Sequence, residues 1–249
     1  MLVQSGDAQG IGGFIITPGN AKLVVIRGMG PSLGRHGVSD SLADPVLELH
    51  GPAGALLQSN DNWRDSQEAQ IQATGLAPTD DPESAMVTTL DPGSYTVIMR
   101  SKDATTGVGL VEIYDLDPAG SSRLGNLSTR ASVQAGDNVV IAGFILGVRQ
   151  MNADVVIRGL GPSLSQYGVS NVLADPTLEL HDSDGALIKS DDNWQDDAAQ
   201  AALLSASGLA PENSQEAALE VSLPPGAYTA ILAGNNGTGV GIVEIYNKQ

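Results

Sequence analysis

Residues Arg27–His50 have the sequence RGMGPSLGRHGVSDSLADPVLELH, and the stretch returns almost unchanged as RGLGPSLSQYGVSNVLADPTLELH at Arg158–His181. The two copies lie 131 residues apart, counted from Arg27 to Arg158. Further matched pairs are SNDNW with SDDNW, GLAP with GLAP, LDPGSYT with LPPGAYT, and GVGLVEIY with GVGIVEIY. Repetition at a fixed period indicates a tandem array of one structural unit. We therefore predict two copies of one module of about 120 residues, a usual size for a domain.

The composition favours strands separated by turns. The 249 residues include 30 glycines, whereas aromatic residues make up only 4%. Runs rich in β-branched residues, such as KLVVIRG and DVVIRG, are bounded by these glycines, which is typical of strands. One short helix per module is indicated by the alanine- and glutamine-rich segments Asp65–Pro78 and Asp196–Pro211. The predicted fold is all-β, with two tandem jelly-roll-like β-sandwich modules that each contain one short helix.

The second module has an introduction that the first one lacks. Module two is preceded by LGNLSTRASVQAGD, whereas module one begins with MLVQSGD, so the counterpart of NLSTR (Asn126–Arg130) is missing. We predict repeat 1 at residues 1–117, a linker at 118–125 and repeat 2 at 126–249, and we expect the chain to be a piece of a longer protein. If NLSTR forms an edge strand, a neighbouring copy could supply the missing strand to repeat 1 by strand addition.

Charge and cysteine content exclude several kinds of site. The formal net charge is −17, and a surface of that sign repels nucleic acid and anionic lipid. The chain has no cysteine, which excludes disulfides, thiolate catalysis and cysteine-based metal sites. No apolar run approaches the roughly 20 residues of a membrane-spanning helix. We therefore expect no nucleic-acid partner and no insertion into a membrane.

The acidic loop before each helix is the candidate metal site. Short side chains that carry oxygen suit calcium, which takes about six to eight oxygen ligands. The same side chains could instead cap the helix and form Asx turns, and the sequence leaves both interpretations open. The residues are Asn60, Asp61, Asn62 and Asp65 in module one, and Asp191, Asp192, Asn193 and Asp196 in module two.

Two repeated side chains are weaker candidates for binding. Trp63 and Trp194 could be exposed platforms for a sugar ring, or they could fill the core beside the helix. His50 and His181 could be metal ligands, but no second histidine stands at a suitable spacing, and packing at a strand end explains them as well.

The Gly-x-Gly-Pro-Ser-Leu motif does not indicate catalysis. It has neither the G-x-S-x-G order of a nucleophile elbow nor the Lys-Ser/Thr ending of a phosphate loop. Arg27 and Arg158, which immediately precede the motif, are expected to pair with carboxylates in a structural role. Their candidate partners are Asp44 and Asp175, or Glu112 and Glu244.

The combination of GPSL, LADPxLELH, NDNW and VEIYD resembles a tandem repeat of large bacterial exported and surface proteins, and the likeness covers practically the whole chain twice. This resemblance implies an extracellular or cell-surface location in a bacterium. The second half of each module is also similar to the bacterial pre-peptidase C-terminal domain, through DPxLELxDxxGxxIxxDDN followed by LxPGxYTxxL. The second resemblance implies a jelly-roll-like sandwich that often binds calcium and serves adhesion.

The second resemblance also points to particular residues. Carried over to this chain, its calcium residues would be Asp44, Asp61 and Asn62 in module one and Asp175, Asp192 and Asn193 in module two. The long insertion between DNW and the PGxYT strand departs from that family and leaves its calcium ligand set in doubt.

Three functional hypotheses differ in class. The repeated modules favour a non-catalytic extracellular structural or adhesive array, such as a filament or stalk subunit whose partners are neighbouring copies. The alternative is an accessory module of a larger secreted enzyme that binds carbohydrate or protein, with a surface glycan or a matrix protein as partner. An enzyme in its own right is poorly supported, because no catalytic set of side chains is evident.

Overall fold

The computed structural model describes residues 1–4, 9–136, 138–147 and 152–248. The chain divides into two compact units, unit 1 (Met1–Leu127) and unit 2 (Ser128–Gln249). Each unit consists mainly of strands arranged in antiparallel sheets. The predicted all-β fold is therefore confirmed. In the described residues, no helix is long and apolar enough to cross a membrane.

Unit 1 is built from nine described strands. They are β1 (Leu2–Val3), β2 (Gly10–Ile16), β3 (Lys22–Met29), β4 (Pro45–His50), β5 (Leu56–Asn60), β6 (Ser84–Leu90), β7 (Gly93–Ser101), β8 (Gly107–Val108) and β9 (Leu110–Asp115). One sheet has the strand order β2-β7-β4-β5 and the other has the order β6-β3-β9, while β1 pairs with β8. A 3-10 helix at Pro31–His36 follows β3, and the α-helix α1 spans Glu68–Ala73.

The two sheets of unit 1 pack face to face around one apolar core. Phe14, Leu47 and Val97 from one sheet share a buried cluster with Ile26 and Met86 from the other. Gly28 permits this close approach, because a Cβ atom there would lie 2.8 Å from Leu47 Cγ. Glycine is thus required where the sheets are nearest, which explains the first glycine of the GxGPSL motif.

Unit 2 repeats this arrangement. Its elements are β10 (Leu124–Val133), β11 (Val140–Leu146), β12 (Ala153–Leu160), a 3-10 helix (Pro162–Tyr167), β13 (Pro176–His181), β14 (Leu187–Asp191), α2 (Ala198–Ser207), β15 (Ala217–Leu223), β16 (Gly226–Gly234) and β17 (Gly239–Asn247). One sheet has the order β11-β16-β13-β14, and the strands of the other follow the order β15-β12-β17-β10.

Strand β10 contributes to both units. It neighbours β2 of unit 1 and β17 of unit 2, and the division between the units falls within it, after Leu127. Leu124 and Leu127 pack against the apolar cluster of unit 1. The predicted linker at residues 118–125 therefore overlaps a strand, because these leucines have an apolar surface to cover.

The helices differ in how they begin. In α2 the Asp197 carboxylate accepts hydrogen bonds from Ala199 N and Gln200 N, and the helix ends at Gly208, whose φ of 72° is left-handed. In α1 the preceding residue Gln67 has a φ of 58° and its side chain caps nothing. The GxGPSL segment enters a 3-10 helix at Pro31, since proline fixes a helical φ at its first position.

Candidate functional site

The acidic loop of unit 1 is held by its own side chains. Asn60 is buried; its Oδ1 accepts from Ala85 N at 2.9 Å, and its Nδ2 donates to Asn62 O at 3.0 Å. Asn62 Nδ2 donates to Asp65 Oδ2 at 3.0 Å. These hydrogen bonds stabilise the turn that leads to α1.

The two remaining carboxylates of that site, Asp44 and Asp61, face a lysine. Lys102 Nζ lies 2.7 Å from Asp61 Oδ2 and 3.7 Å from Asp44 Oδ2. Burial raises the pKa of the Asp44 carboxyl, and Lys102 opposes that effect. Unit 1 thus places its own cation between the residues that the sequence predicts as metal ligands.

Unit 2 lacks that lysine. Lys102 N donates to Asp44 O, and Asn235 N donates to Asp175 O in the same way, so Asn235 holds the place of Lys102. The Asn235 amide donates to Asp175 Oδ2 at 2.9 Å. Asp192 Oδ1 is buried without a hydrogen-bond partner among the described residues, as are Asp44 Oδ1 and Asp61 Oδ1 in unit 1. The carboxylates of unit 2 therefore have an amide where unit 1 has an ammonium.

Burial and mutual repulsion act on the unit 2 carboxyls. Burial raises the pKa of Asp192, and the neighbouring charges of Asp175 and Asp196 add to the effect. Burial likewise raises the pKa of Asp191, although Ala218 N donates to its carboxylate at 2.8 Å. Within the described residues, no group of three or more His, Asp or Glu side chains is arranged to hold a metal ion. Asp196 does not cap α2, because that role belongs to Asp197.

The tryptophans are core residues. Trp63 is 2% exposed and packs with Ile71 and Ala85, and Trp194 is 8% exposed and packs with Leu204. The interpretation of Trp63 and Trp194 as exposed sugar platforms is wrong, because neither indole face is available to a ring from solvent. Each indole fills the space between the helix and the adjacent sheet.

Each repeated arginine contacts a glutamate, a backbone carbonyl and a tyrosine ring of its own unit. Arg27 Nε donates to Glu112 Oε2 at 2.8 Å, its Nη1 donates to Leu76 O at 2.8 Å, and its guanidinium lies 5.2 Å from the ring centre of Tyr114. Arg158 makes the same contacts with Glu244, Leu209 O and Tyr246. The partners are thus the glutamates on β9 and β17, and Asp44 and Asp175 are not involved.

A buried glutamate that sequence reasoning missed explains the GxGPSL motif. Glu83 is fully buried, and its Oε1 accepts hydrogen bonds from Gly30 N, Ser32 N and Ser32 Oγ at 3.0, 3.0 and 2.5 Å. Glu216 accepts the same three bonds from Gly161 and Ser163. The available signal was a glutamate in the residue before β6 and before β15, in both copies. The serine hydroxyls are therefore bound to a structural carboxylate.

Each repeated histidine forms a hydrogen bond to a carbonyl of a hairpin turn. His181 Nδ1 lies 3.1 Å from Gly185 O, and its Nε2 lies 2.8 Å from Glu179 Oε2. The Glu179 contact, followed by the Gly185 carbonyl, raises the pKa of His181. His50 makes the corresponding contacts with Gly54 O and Glu48. Packing at a strand end is the role that the structure shows for both.

A pocket of about 300 Å³ lies in unit 2 beside β10. Arg130, Leu160, Leu164, Tyr167 and Ile242 line it, next to the Arg158–Glu244 ion pair.

The main difference between the units is the edge of one sheet. In unit 2, β17 lies between β12 and β10. In the described part of unit 1, the equivalent strand β9 is the last of its sheet, and only the short β1–β8 pair continues in the place of β10. We call the uncovered side of Leu110–Asp115 the β9 edge. An uncovered edge presents unpaired backbone groups that can accept another strand.

No protein-family model matches the chain, and no curated protein matches it either. Among solved structures it is similar to the major capsid protein P2 from bacteriophage PM2, with 9% identity, a TM-score of 0.23, and coverage of 100% of this chain and 98% of that one. The STIV MCP matches with 12% identity, a TM-score of 0.25 and coverage of 99% and 93%. The VP2 subviral particle of infectious bursal disease virus matches with 9% identity, a TM-score of 0.21 and coverage of 99% and 70%. TM-scores this low do not establish a shared fold, so the fold assignment rests on the strands and sheets described above.

Proposed function

We propose that the chain is a non-catalytic structural repeat of an extracellular bacterial stalk, filament or adhesin, and that its copies are joined by strand addition at the β9 edge. The observation that carries the proposal is the uncovered β9 edge beside its covered counterpart in unit 2. The location is supported by the resemblance to exported repeats, and the net charge of −17 suits a soluble surface array.

The exposure of the β9 side chains supports strand addition at this edge. Val111 and Ile113 of β9 are half-buried, whereas their counterparts Val243 and Ile245 of β17 are 0% and 5% exposed. The same residue types thus leave more apolar surface in contact with water in unit 1. Covering that surface is favourable by about 25 cal/mol for each Å² of apolar area.

The backbone of β9 supports the same conclusion. Met1 N donates to Gly109 O and Gly109 N donates to Met1 O, both at 2.9 Å, so Gly109 points its amide groups toward the open side. Backbone groups alternate between the two sides of a strand, so Val111 and Ile113 present theirs to the β9 edge. An added strand would pair with these groups in line with Met1–Val3.

The strand that fits is the one that covers this place in unit 2. Val3 and Met1 match Val133 and Ala131 in the sequence, and in unit 2 the segment Asn126–Arg130 stands directly before Ala131. We assign the partner as a neighbouring copy of the module that supplies this segment in extended form.

A peptide tests the proposal directly. The ten-residue peptide Ser121–Arg130, added to the full chain, should protect the Val111 and Ile113 amides from hydrogen exchange by about tenfold or more. The matched control peptide carries Thr129→Pro, because residue 129 falls opposite Val111 and proline has no N–H to donate. Equal protection by both peptides, or by neither, would refute strand addition at this edge.

Calcium stabilisation of unit 2 is a separate part of the proposal. In the described part of the chain, no lysine lies beside the Asp175 and Asp192 carboxylates, and the Asn235 amide takes the place that Lys102 has in unit 1. These two carboxylates would hold calcium, and the bound ion would supply the positive charge that Lys102 provides in unit 1. Unit 1 does not fit calcium, because Lys102 already fills the place between Asp44 and Asp61.

A further inference from the structure

The turn between β16 and β17 contains the one asparagine of the chain that is followed by glycine, Asn236 before Gly237. Asn236 is exposed, and its φ of 57° is left-handed. Asparagine adopts this conformation more readily than most residues with a side chain, and Asn-Gly is therefore typical of tight turns between strands. The same pair places a side-chain amide beside a backbone nitrogen whose own residue has no side chain.

The backbone nitrogen of Gly237 is unhindered. The φ of Gly237 is not left-handed, and a Cβ atom there would meet nothing within 4 Å, so the turn itself does not require glycine at this position. Among the residues that the structure describes, the Gly237 N–H donates no backbone hydrogen bond. This nitrogen is therefore open to reaction with the neighbouring Asn236 side chain.

We propose that Asn236 is a site of spontaneous deamidation. The Gly237 nitrogen loses its proton and attacks Asn236 Cγ, which forms a new C–N bond and closes a succinimide ring. The bond from Cγ to Nδ2 breaks, and Nδ2 leaves with a proton as ammonia. Water then opens the ring at either carbonyl and leaves aspartate or isoaspartate at position 236. Water is the one co-reactant, because the two reacting groups are already neighbours in the chain.

Asn171 is an internal reference for this reaction. It is exposed and its φ of 52° is close to that of Asn236, but the next residue is Val172. A β-branched side chain crowds the backbone nitrogen of its own residue and hinders the attack. In the corresponding turn of unit 1, between β7 and β8, the left-handed residue is Ala104, which has no amide to lose. The reaction is thus assigned to the turn of unit 2.

The product changes the surroundings of the Asp175 carboxylate. Asn236 Nδ2 donates to Asn235 Oδ1 at 3.3 Å, and Asn235 Nδ2 donates to Asp175 Oδ2 at 2.9 Å. An aspartate at position 236 is ionised at neutral pH and has no N–H to donate to Asn235. Deamidation therefore removes one hydrogen bond and adds a negative charge to the turn that contacts Asp175.

Unit 1 shows that a charge in this turn acts on the aspartates. Burial raises the pKa of Asp44, and the charge of Asp103, in the turn between β7 and β8, adds to the effect. In unit 2 the deamidated turn would carry such a charge without a lysine in the place of Lys102. We expect calcium binding by Asp175 and Asp192 to become about twofold tighter or more. This effect rests on the proposed function, whereas the deamidation itself does not.

Peptide mapping by mass spectrometry tests the modification. In the full chain, incubated at mildly alkaline pH, the Asn236 amide should be lost about tenfold faster than that of Asn171, with aspartate and isoaspartate as the products. The matched variant is Gly237→Val, which the open space at that position accommodates. Its loss at position 236 should fall to the rate of Asn171. Equal rates at the two asparagines of the unmodified sequence, or an unchanged rate in Gly237→Val, would overturn the proposal.

A second measurement separates the effect on calcium from the modification. Asn236→Asp supplies the product directly, and Asn236→Gly is its uncharged control, since aspartate and glycine both tolerate a left-handed φ. Calcium titrations followed by thermal unfolding should give a Kd about twofold lower or more in Asn236→Asp than in Asn236→Gly. Equal Kd values would overturn the effect on calcium. If calcium stabilises neither variant nor the unmodified chain, the calcium part of the proposed function fails, and the peptide map alone decides the deamidation.

Discussion

Lys102 and Asn235 occupy equivalent positions in the two units, and they differ in charge. The Lys102 ammonium lies 2.7 Å from Asp61, whereas the Asn235 amide donates to Asp175 at 2.9 Å. One exchange of residue therefore decides whether a positive charge of the chain lies beside these carboxylates.

The first prediction exchanges these two residues. Calcium at 100-fold excess over its Kd should stabilise unit 2 by about 2.7 kcal/mol relative to EDTA, because the ion binds only the folded state. Asn235→Lys should abolish that gain, and Lys102→Asn should create a second calcium-dependent transition in unit 1. Thermal unfolding at matched ionic strength measures both, and an undiminished gain in Asn235→Lys would exclude the site.

The buried Glu83 allows a pair of substitutions whose expected losses of stability differ in size. Glu83→Ala removes the acceptor of three hydrogen bonds and should cost about 3 kcal/mol or more, since each buried donor left unpaired costs about 1–3 kcal/mol. Glu83→Gln keeps one acceptor oxygen, and Oε2 has no described hydrogen-bond partner to lose. It should therefore cost much less than Glu83→Ala. Urea unfolding ranks the two variants, and equal losses would contradict the assigned role.

The second glycine of GxGPSL gives a steric prediction. A Cβ atom on Gly161 would lie 2.1 Å from Leu173 O, so Gly161→Ala must push backbone apart. We expect a loss of about 1–3 kcal/mol, the usual cost of overpacking. Gly237→Ala is the control, because a Cβ there meets nothing within 4 Å. Similar midpoints for the two variants in urea would show that the loop simply moves aside.

His181 gives a pH prediction with a definite sign. Its pKa is raised in the folded protein above the ordinary histidine value of 6.5. Its contribution to stability is therefore complete below the pKa of the unfolded chain and is lost as the pH rises through the folded pKa. Glu179→Gln removes the first cause of the shift and should flatten this dependence. Urea midpoints measured between about pH 5 and 8 give the test, and a steeper dependence in Glu179→Gln would refute the ion pair.

Local features of the fold could be predicted from the sequence. The alternation in VLELH predicts a half-buried strand, and the structure has β4 at Pro45–His50. The repeat itself indicates two similar units. The residues of a strand do not determine which strands it pairs with. The segment LGNLSTRASV therefore gave no indication that β10 neighbours both β2 and β17.

The site was harder to predict, because its contacts join distant residues. Glu83 and Ser32 are 51 residues apart, and only the fold brings the carboxylate to the GxGPSL backbone. The acidic loops were identified as a feature, but Lys102 was not, since it follows a strand far along the chain. The tryptophans left two interpretations open because an indole suits a core and a surface equally well.

The burial of one tryptophan in each unit has a spectroscopic consequence. Trp63 and Trp194 are the two tryptophans of the chain, so each unit carries a single strong fluorophore in a dry setting. Replacing either tryptophan with phenylalanine would remove the tryptophan emission of one unit and leave that of the other. The red shift on denaturation would then report the melting of one unit at a time, and the two curves would show whether the halves of the chain unfold cooperatively or in separate steps.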